Sequence, residues 1–370
     1  MSALSETSVE THERDSSTRL FIRGLLHPSL MSVLTALATA VLIIACVMSL
    51  SPTQVAAVIR WYTSYSFHIS DDPAVCTSRA LELSATPPGN PSVVILGAST
   101  TRESVDAPEI SALLSNDVGR NVPAYNLTFS SQHIVESLAL TDAIPAHLRG
   151  VVLVGVNPVR IGKNVPVSRI FWGRTLGFTS DSLREEARYW NVDLPQPTGW
   201  YAWDNRFFVL GLWRAAVMAI PYFLRNPLQP VAPSQHLYVG WSDPGDAWRQ
   251  RQYEDVEQSL QDYAATSARH FQTLQRLIDK LQRHDLQVIL LESPANPQFL
   301  ATLPAGFYDN YRGEVSRFAQ RAGVEYLDIN AEAALRSADF YDWAHLDSAA
   351  AQQTYSATLA RHLRHYFEQP

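Results

Sequence analysis

Ser99, Asp342 and His345 are the residues of this chain whose types and spacing can do chemistry. Ser99 closes Val93-Val-Ile-Leu-Gly-Ala-Ser99, a β-branched apolar run ending in Gly-x-Ser. Asp342 and His345 stand far downstream, in Tyr341-Asp-Trp-Ala-His345-Leu-Asp347. A serine hydroxyl is a weak nucleophile at its own pKa and needs an adjacent base. An imidazole can take that proton, and a carboxylate on its other ring nitrogen fixes the tautomer. The three together point to acyl transfer or ester hydrolysis. Such chemistry needs donors aimed at the developing oxyanion. The Ser99 backbone N–H and the side-chain amide of Asn157, in Gly155-Val-Asn157-Pro158, are candidates.

Each piece has a plainer structural use. A serine after a strand caps a turn or helix, Asn before Pro is a turn residue, and Asp-x-x-His before a helix can be a cap. Their joint order is what carries the expectation. Arg102 lies three residues past Ser99 and suits either an anionic or carbohydrate ligand, or a surface ion pair with Glu103 or Asp106. His133 either lines the cleft or plays a structural part. Asp347 reads as the N-cap of the last helix.

The elements that must position these residues alternate strand and helix. The β-branched run at 93–96 reads as a buried strand, and 124–127, 151–155, 286–291 and 324–328 read as four further strands. Helical patterns fall at 107–114, 132–142, 273–284, 307–322 and 348–367. That alternation predicts an α/β fold, a parallel sheet sandwiched between helices in three layers. Sites in such sheets form beyond the carboxyl ends of the strands. An interruption at about 162–263 is rich in Trp and Tyr, which suit core packing or stacking on sugar rings. Within it, 207–224 is apolar apart from Arg214. It reads as a packed helix, a membrane-surface helix or a second span, and a span would part Ser99 from His345 across the membrane.

Leu30 to Leu50 carries no charge. At about 20 residues it suits a helix crossing a hydrocarbon core of roughly 30 Å. Arg14, Arg19 and Arg23 precede it and the next cation is Arg60, so the positive-inside rule leaves the tail in the cytoplasm and exports the rest. A cleaved signal peptide, or a lipoprotein-like box at Ile43-Ile-Ala-Cys46, are the alternatives. The predicted organisation is a tail (1–28), a transmembrane helix (29–51), a juxtamembrane linker (52–90) and one α/β domain (91–370). Val55 to His68 is aromatic and suited to the membrane surface.

The chain has 370 residues, 46% hydrophobic and 18% charged, with net charge -7. An acidic balance argues against nucleic acid as a partner. No Cys-x-x-Cys or His-Glu-x-x-His occurs, so no metal is expected. Cys46 and Cys76 read as free thiols, and the chemistry proposed needs no cofactor.

Gly97-Ala-Ser99, Gly155-x-Asn157 and Asp342-x-x-His345, in that order over about residues 92–367, resemble the SGNH (GDSL-type) hydrolase superfamily. The resemblance implies Ser99 as nucleophile, Asn157 as oxyanion donor, Asp342 as orienter and His345 as base. Two positions depart from the family pattern. Ala98 replaces the usual Asp, as in membrane-anchored transferase-like branches. Ser130-Ser131 stands where the second-block glycine falls, leaving Ser131 as the candidate third donor. The anchor and the insertion resemble bacterial proteins that accompany membrane-bound O-acyltransferases, of the alginate O-acetylation and D-alanine transfer types. The implied function is an exported acyltransferase or esterase acting on cell-envelope glycan with an acyl donor, beside an O-acyltransferase partner. The alternative is an inactive scaffold of the same fold.

Overall fold

The computed structural model describes residues 29–49, 51, 54, 72–85, 89, 91–171, 176–178, 180–206, 208–209, 243–284 and 286–368. The tail at 1–28, the aromatic stretch at 55–68 and nearly all of 207–224 lie outside the described residues.

Strands β1 (Ser92–Leu96), β2 (Ala124–Asn126), β3 (Gly150–Val156), β4 (Gln287–Glu292) and β5 (Glu325–Leu327) form one sheet in the order β2-β1-β3-β4-β5, each neighbouring pair parallel. The predicted strands agree closely with these bounds. The main helices are α1 (Leu30–Met48), α2 (Ser99–Arg102), α3 (Ala107–Val118), α4 (Ile134–Leu140), α5 (Pro158–Gly162), α6 (Asp181–Tyr189), α7 (Asp246–Ser259), α8 (Tyr263–Arg283), α9 (Phe307–Ala322) and α10 (Ala349–Leu363).

Successive strand residues point to opposite faces of a sheet, and here both faces are covered. Val94, Leu96, Val152, Val154, Val288 and Leu290 pack with residues of α4, α8 and α9. Val93, Ile95, Val151, Leu153, Ile289 and Leu291 pack with residues of α3 and α10. This two-sided burial is why the strands read as continuous apolar runs rather than alternating ones. Each fully buried Val, Leu or Ile contributes about 1.5–3 kcal/mol, so the sheet centre is the stable frame on which the loops stand.

The helix ends follow local chemistry. Asp106 caps α3 by accepting from Glu109 N at 3.2 Å, and α3 stops at Gly119, whose φ of 67° is left-handed. The last helix corrects one expectation: Ser348, not Asp347, is its N-cap, its Oγ accepting from Ala351 N at 3.3 Å. α8 begins ten residues earlier than its predicted start at Thr273. Its first turns bury Tyr263, Ser267 and His270, polar-bearing residues that do not read as an apolar stripe.

α1 coincides with the predicted apolar segment. Its 19 residues rise about 28 Å at ~1.5 Å each, against a hydrocarbon core of roughly 30 Å. Among the described residues no helix is long and apolar enough to cross a membrane.

Strand order reverses between β1 and β3, because β2 follows β1 on one side and β3 lies on the other. Open parallel sheets leave a crevice at that point, outside the carboxyl ends of the strands. Ser99 follows β1 and Asn157 follows β3, so both stand beside it.

Candidate functional site

Ser99, His345 and Asp342 form one hydrogen-bonded series. His345 Nε2 lies 2.8 Å from Ser99 Oγ, and its Nδ1 lies 2.7 Å and 2.9 Å from the two Asp342 carboxylate oxygens. Asp342 Oδ1 also accepts the backbone N–H groups of Ala344 and His345, each at 3.0 Å. A carboxylate only accepts, so Nδ1 carries a proton. With the ring neutral, Nε2 is then the lone pair that faces the serine.

Local structure holds both halves in place. On the Ser99 side, Gly97 just past β1 and Gly155 near the end of β3 lie on neighbouring strands, and a Cβ at either would collide with the Thr101 side chain. Thr101 is fully buried and bonds Ser293 beyond β4, Oγ1 to Oγ at 3.0 Å. The two glycines thus let the first turn of α2 settle onto the strand ends and leave Ser99 half-exposed at the cleft. On the other side, residues 340–346 fold back on themselves: Tyr341 N donates to His345 O at 2.8 Å, and Phe340 bridges Leu346. Buried Asn296 clasps this loop, donating from its backbone to Trp343 O at 2.8 Å and from Nδ2 to Asp342 O at 2.9 Å. Arg249 of α7 adds a bond from Nε to Tyr341 O at 3.0 Å.

Three N–H groups on the loops that follow β1, β2 and β3 are the candidate oxyanion donors. The Ser99 N–H opens α2 and, among the described residues, donates to nothing. Asn157 is buried and caps α5, its Oδ1 accepting from Arg160 N at 2.8 Å. That bond fixes the amide orientation and turns Nδ2 toward Thr100 Oγ1, at 2.9 Å. One hydrogen is engaged there, and an amide has a second. Ser131 stands at φ 55°. It is the third residue of a turn closed by Gln132 N donating to Phe129 O at 3.1 Å, the position where a type II turn wants glycine. The serine therefore takes the left-handed backbone that glycine adopts most freely. Its exposed N–H, too, donates to nothing among the described residues.

Charges around the imidazole are arranged to favour its protonated form. Burial pulls the His345 pKa down, but the Glu103 and Asp342 carboxylates outweigh it, and the net shift is upward. Burial would raise Asp342, yet the His345 hydrogen bond and charge and the two backbone donors hold it below the ordinary carboxylate range. Glu103 is raised, chiefly by burial and only partly offset by His345 and Arg102.

Two of the more weakly placed residues take the plainer of their two readings. Arg102 makes the expected ion pair with Glu103, buried and not on the surface: its side chain is 9% exposed and bonds Glu103 Oε1 at 2.8 Å. Glu103 was visible in the sequence only as an ion-pair partner, and folding places it next to the imidazole. His133 does not line the cleft. It is buried, caps α4 by accepting at Nδ1 from Val135 N, and bonds His270 through Nε2 at 2.9 Å. His270 Nδ1 faces Ile161 O, so His133 is the donor of the pair and both rings are neutral. Burial holds His270 below its usual pKa. The pair packs against Trp190 of the insertion, which with Phe171, Ile170 and Ala187 forms a small separate core.

Among the described residues no group of three or more His, Cys, Asp or Glu side chains is placed to hold a metal ion. Gln132, Arg160 and Asn296 leave no signal in the sequence, because each acts through partners distant in the chain.

The parallel α/β sheet and a Ser–His–Asp series at its switch point define the molecule at this level. A family model for a domain of unknown function matches residues 235–368, which hold Asp342 and His345 but not Ser99. No curated protein matches the chain.

Proposed function

We propose that this protein is a serine-dependent acyl transferase or ester hydrolase of the SGNH type, anchored through the uncharged segment at 29–51 at the outer face of a bacterial cytoplasmic membrane and acting on O-acyl groups of envelope glycan. The observation that carries it is the continuous bonding from Ser99 Oγ through His345 to Asp342. Ser99 Oγ attacks the acyl carbonyl while His345 Nε2 takes its proton. The oxyanion meets the N–H groups of Ser99 and Ser131 and the second amide hydrogen of Asn157. Collapse breaks the bond to the leaving oxygen, which receives the proton from His345 and departs as an alcohol. The acyl group is then an ester on Ser99. A sugar hydroxyl or water, deprotonated by His345, attacks that ester, and the proton returns to Ser99 as the product leaves. No metal or organic cofactor enters these steps. An O-acyltransferase in the same membrane is the natural source of the acyl donor.

A scaffold would leave Ser99 unreactive. Ser131 supports the enzyme, since it holds the backbone angle for which its glycine counterpart is suited. Incubation with a fluorophosphonate followed by peptide mapping tests the proposal. The expected result is an adduct on Ser99 that is lost in His345→Ala. Folded protein that gives no adduct overturns it.

A further inference from the structure

Two buried polar side chains, Gln132 and Arg160, join the three loops that carry Ser99, Ser131 and Asn157. Gln132 is 1% exposed and Arg160 is 6% exposed. Gln132 Oε1 accepts from Gly97 N at 3.0 Å, two residues before Ser99. Its Nε2 donates to Leu127 O at 2.8 Å, just past β2. Those two bonds settle which end of the amide is oxygen. Phe129 N donates back to Gly97 O at 3.3 Å, so the turn bearing Ser131 is tied to Gly97 through both its N–H and its carbonyl.

Arg160 completes the frame from the third loop. Its Nε donates to Gln132 O at 3.3 Å, the carbonyl of the residue after Ser131. Its Nη1 donates to Gly155 O at the end of β3, and its Nη2 to Ser137 Oγ of α4, with Gln132 Oε1 at 3.5 Å. Its own backbone N–H holds the Asn157 amide in orientation. Burial is severe enough to pull the guanidinium pKa down to about 10, with the Glu136 charge opposing it. A planar fork serving acceptors on several elements is what Arg offers and Lys cannot. A buried cation would be a poor choice for stability alone, since its desolvation is costly.

We propose that Gln132 and Arg160 are positioning residues that set the oxyanion site before substrate arrives, by locking the loops of Ser99, Ser131 and Asn157 into one frame. The proposal rests on the acyl chemistry at Ser99 proposed above. Donors aimed at a transition state act on kcat, because the oxyanion exists only there. The buried hub stands behind the donors, out of reach of the substrate, so KM is left alone.

The test uses the full-length chain in detergent with p-nitrophenyl acetate. A saturating fluorophosphonate endpoint counts folded, reactive Ser99 in each sample, so unfolded molecules drop out. Arg160→Lys and Gln132→Met are expected to lose about 100-fold in kcat per titrated serine, the scale of one lost oxyanion donor. KM should stay within about two-fold, and the pH midpoint of the rate, which reports His345, should not move. Gln132→Glu keeps an acceptor for Gly97 and Arg160 but sets an oxygen against Leu127 O, and should recover only part of the rate lost in Gln132→Met. A kcat per titrated serine within about three-fold of wild type in both variants refutes the hub, since a merely structural role lowers the number of sites and not their turnover. Wild-type protein that turns over nothing and binds no fluorophosphonate refutes the acyl chemistry itself, a result distinct from retained turnover in the variants.

Discussion

Replacing Asp342 by Asn should leave the fold and remove the base. The geometry lets the effect be worked through. Asp342 Oδ1 accepts two backbone N–H groups at 3.0 Å, and Oδ2 faces His345 Nδ1 at 2.7 Å. An asparagine must place one oxygen and one NH₂ in those two positions. With NH₂ toward the backbone it would confront two buried donors and leave them unsatisfied, at about 1–3 kcal/mol each. It therefore keeps its oxygen on the backbone and points NH₂ at Nδ1. That donor forces Nδ1 to be the acceptor, which moves the ring proton to Nε2. The imidazole then donates to Ser99 Oγ and cannot take its proton. A carboxylate-to-amide change of this kind costs about 10⁴ in kcat, or about 5 kcal/mol of barrier at ~1.36 kcal/mol per decade. The assay is p-nitrophenyl acetate turnover across pH in both proteins. The wild-type base must be neutral, so its rate falls as pH drops through a midpoint above the ordinary histidine value of 6.5, as Glu103 and Asp342 dictate. Residual turnover in Asp342→Asn should have a lower midpoint, because one of those two charges is gone. A variant that keeps more than about a tenth of wild-type kcat refutes the tautomer reasoning.

Two further outcomes follow from buried or strained groups. Ser131→Gly should change melting temperature and kcat little, since relief at φ 55° is offset by the greater freedom of glycine in the unfolded chain. Ser131→Val should cost kcat and about 1–3 kcal/mol of stability, as β-branched residues are genuine outliers at positive φ; matched kcat in the two variants counts against a donor at this turn. Glu292, fully buried at the end of β4, accepts from the hydroxyls of Tyr308, Tyr311 and Tyr326 at 2.9, 3.0 and 3.0 Å. Burial pushes its pKa up to about 8 from the ordinary 4.5. Between those values the folded state holds the extra proton, so this group's stabilisation is full at low pH and is lost as pH rises toward about 8. Melting curves from pH 5 to 8 should show a fall in wild type that flattens in Glu292→Gln; identical slopes mean that Glu292 is ionised in the fold.

The centre of the sheet was legible because β1, β3 and β4 are buried on both faces and so read as short runs rich in Val, Ile and Leu between turn residues. Gly97-x-Ser99, Gly155-x-Asn157 and Asp342-x-x-His345 were legible because each lies at a strand end or just before a helix, where local signals are strong. What was hidden depends on contacts across the chain. His133 finds its partner 137 residues away, at His270. Nothing near Gln132 in the sequence announces Gly97, Leu127 and Arg160 as its neighbours. Whether Ser131 could stand in for a glycine was a matter of backbone angle, which residue type biases and only the surrounding turn decides. The start of α8 was missed because Tyr263, Ser267 and His270 turn inward, and the apolar period does not count them.

Ser99 and His345 lie 246 residues apart, and the imidazole comes within 25 residues of the end of the sequence given. After it there remains α10, whose Tyr355, Leu359 and Leu363 pack on the same side of the sheet as Ile110 and Leu114 of α3. Synthesis runs from the amino end, so the serine emerges early and waits for almost the whole domain before any group can draw off its proton. A chain interrupted at any point before residue 341 carries the hydroxyl without its base. On the acyl chemistry proposed above, Ser99 stays unactivated until the segment bearing Asp342 and His345 has been made and folded against α2.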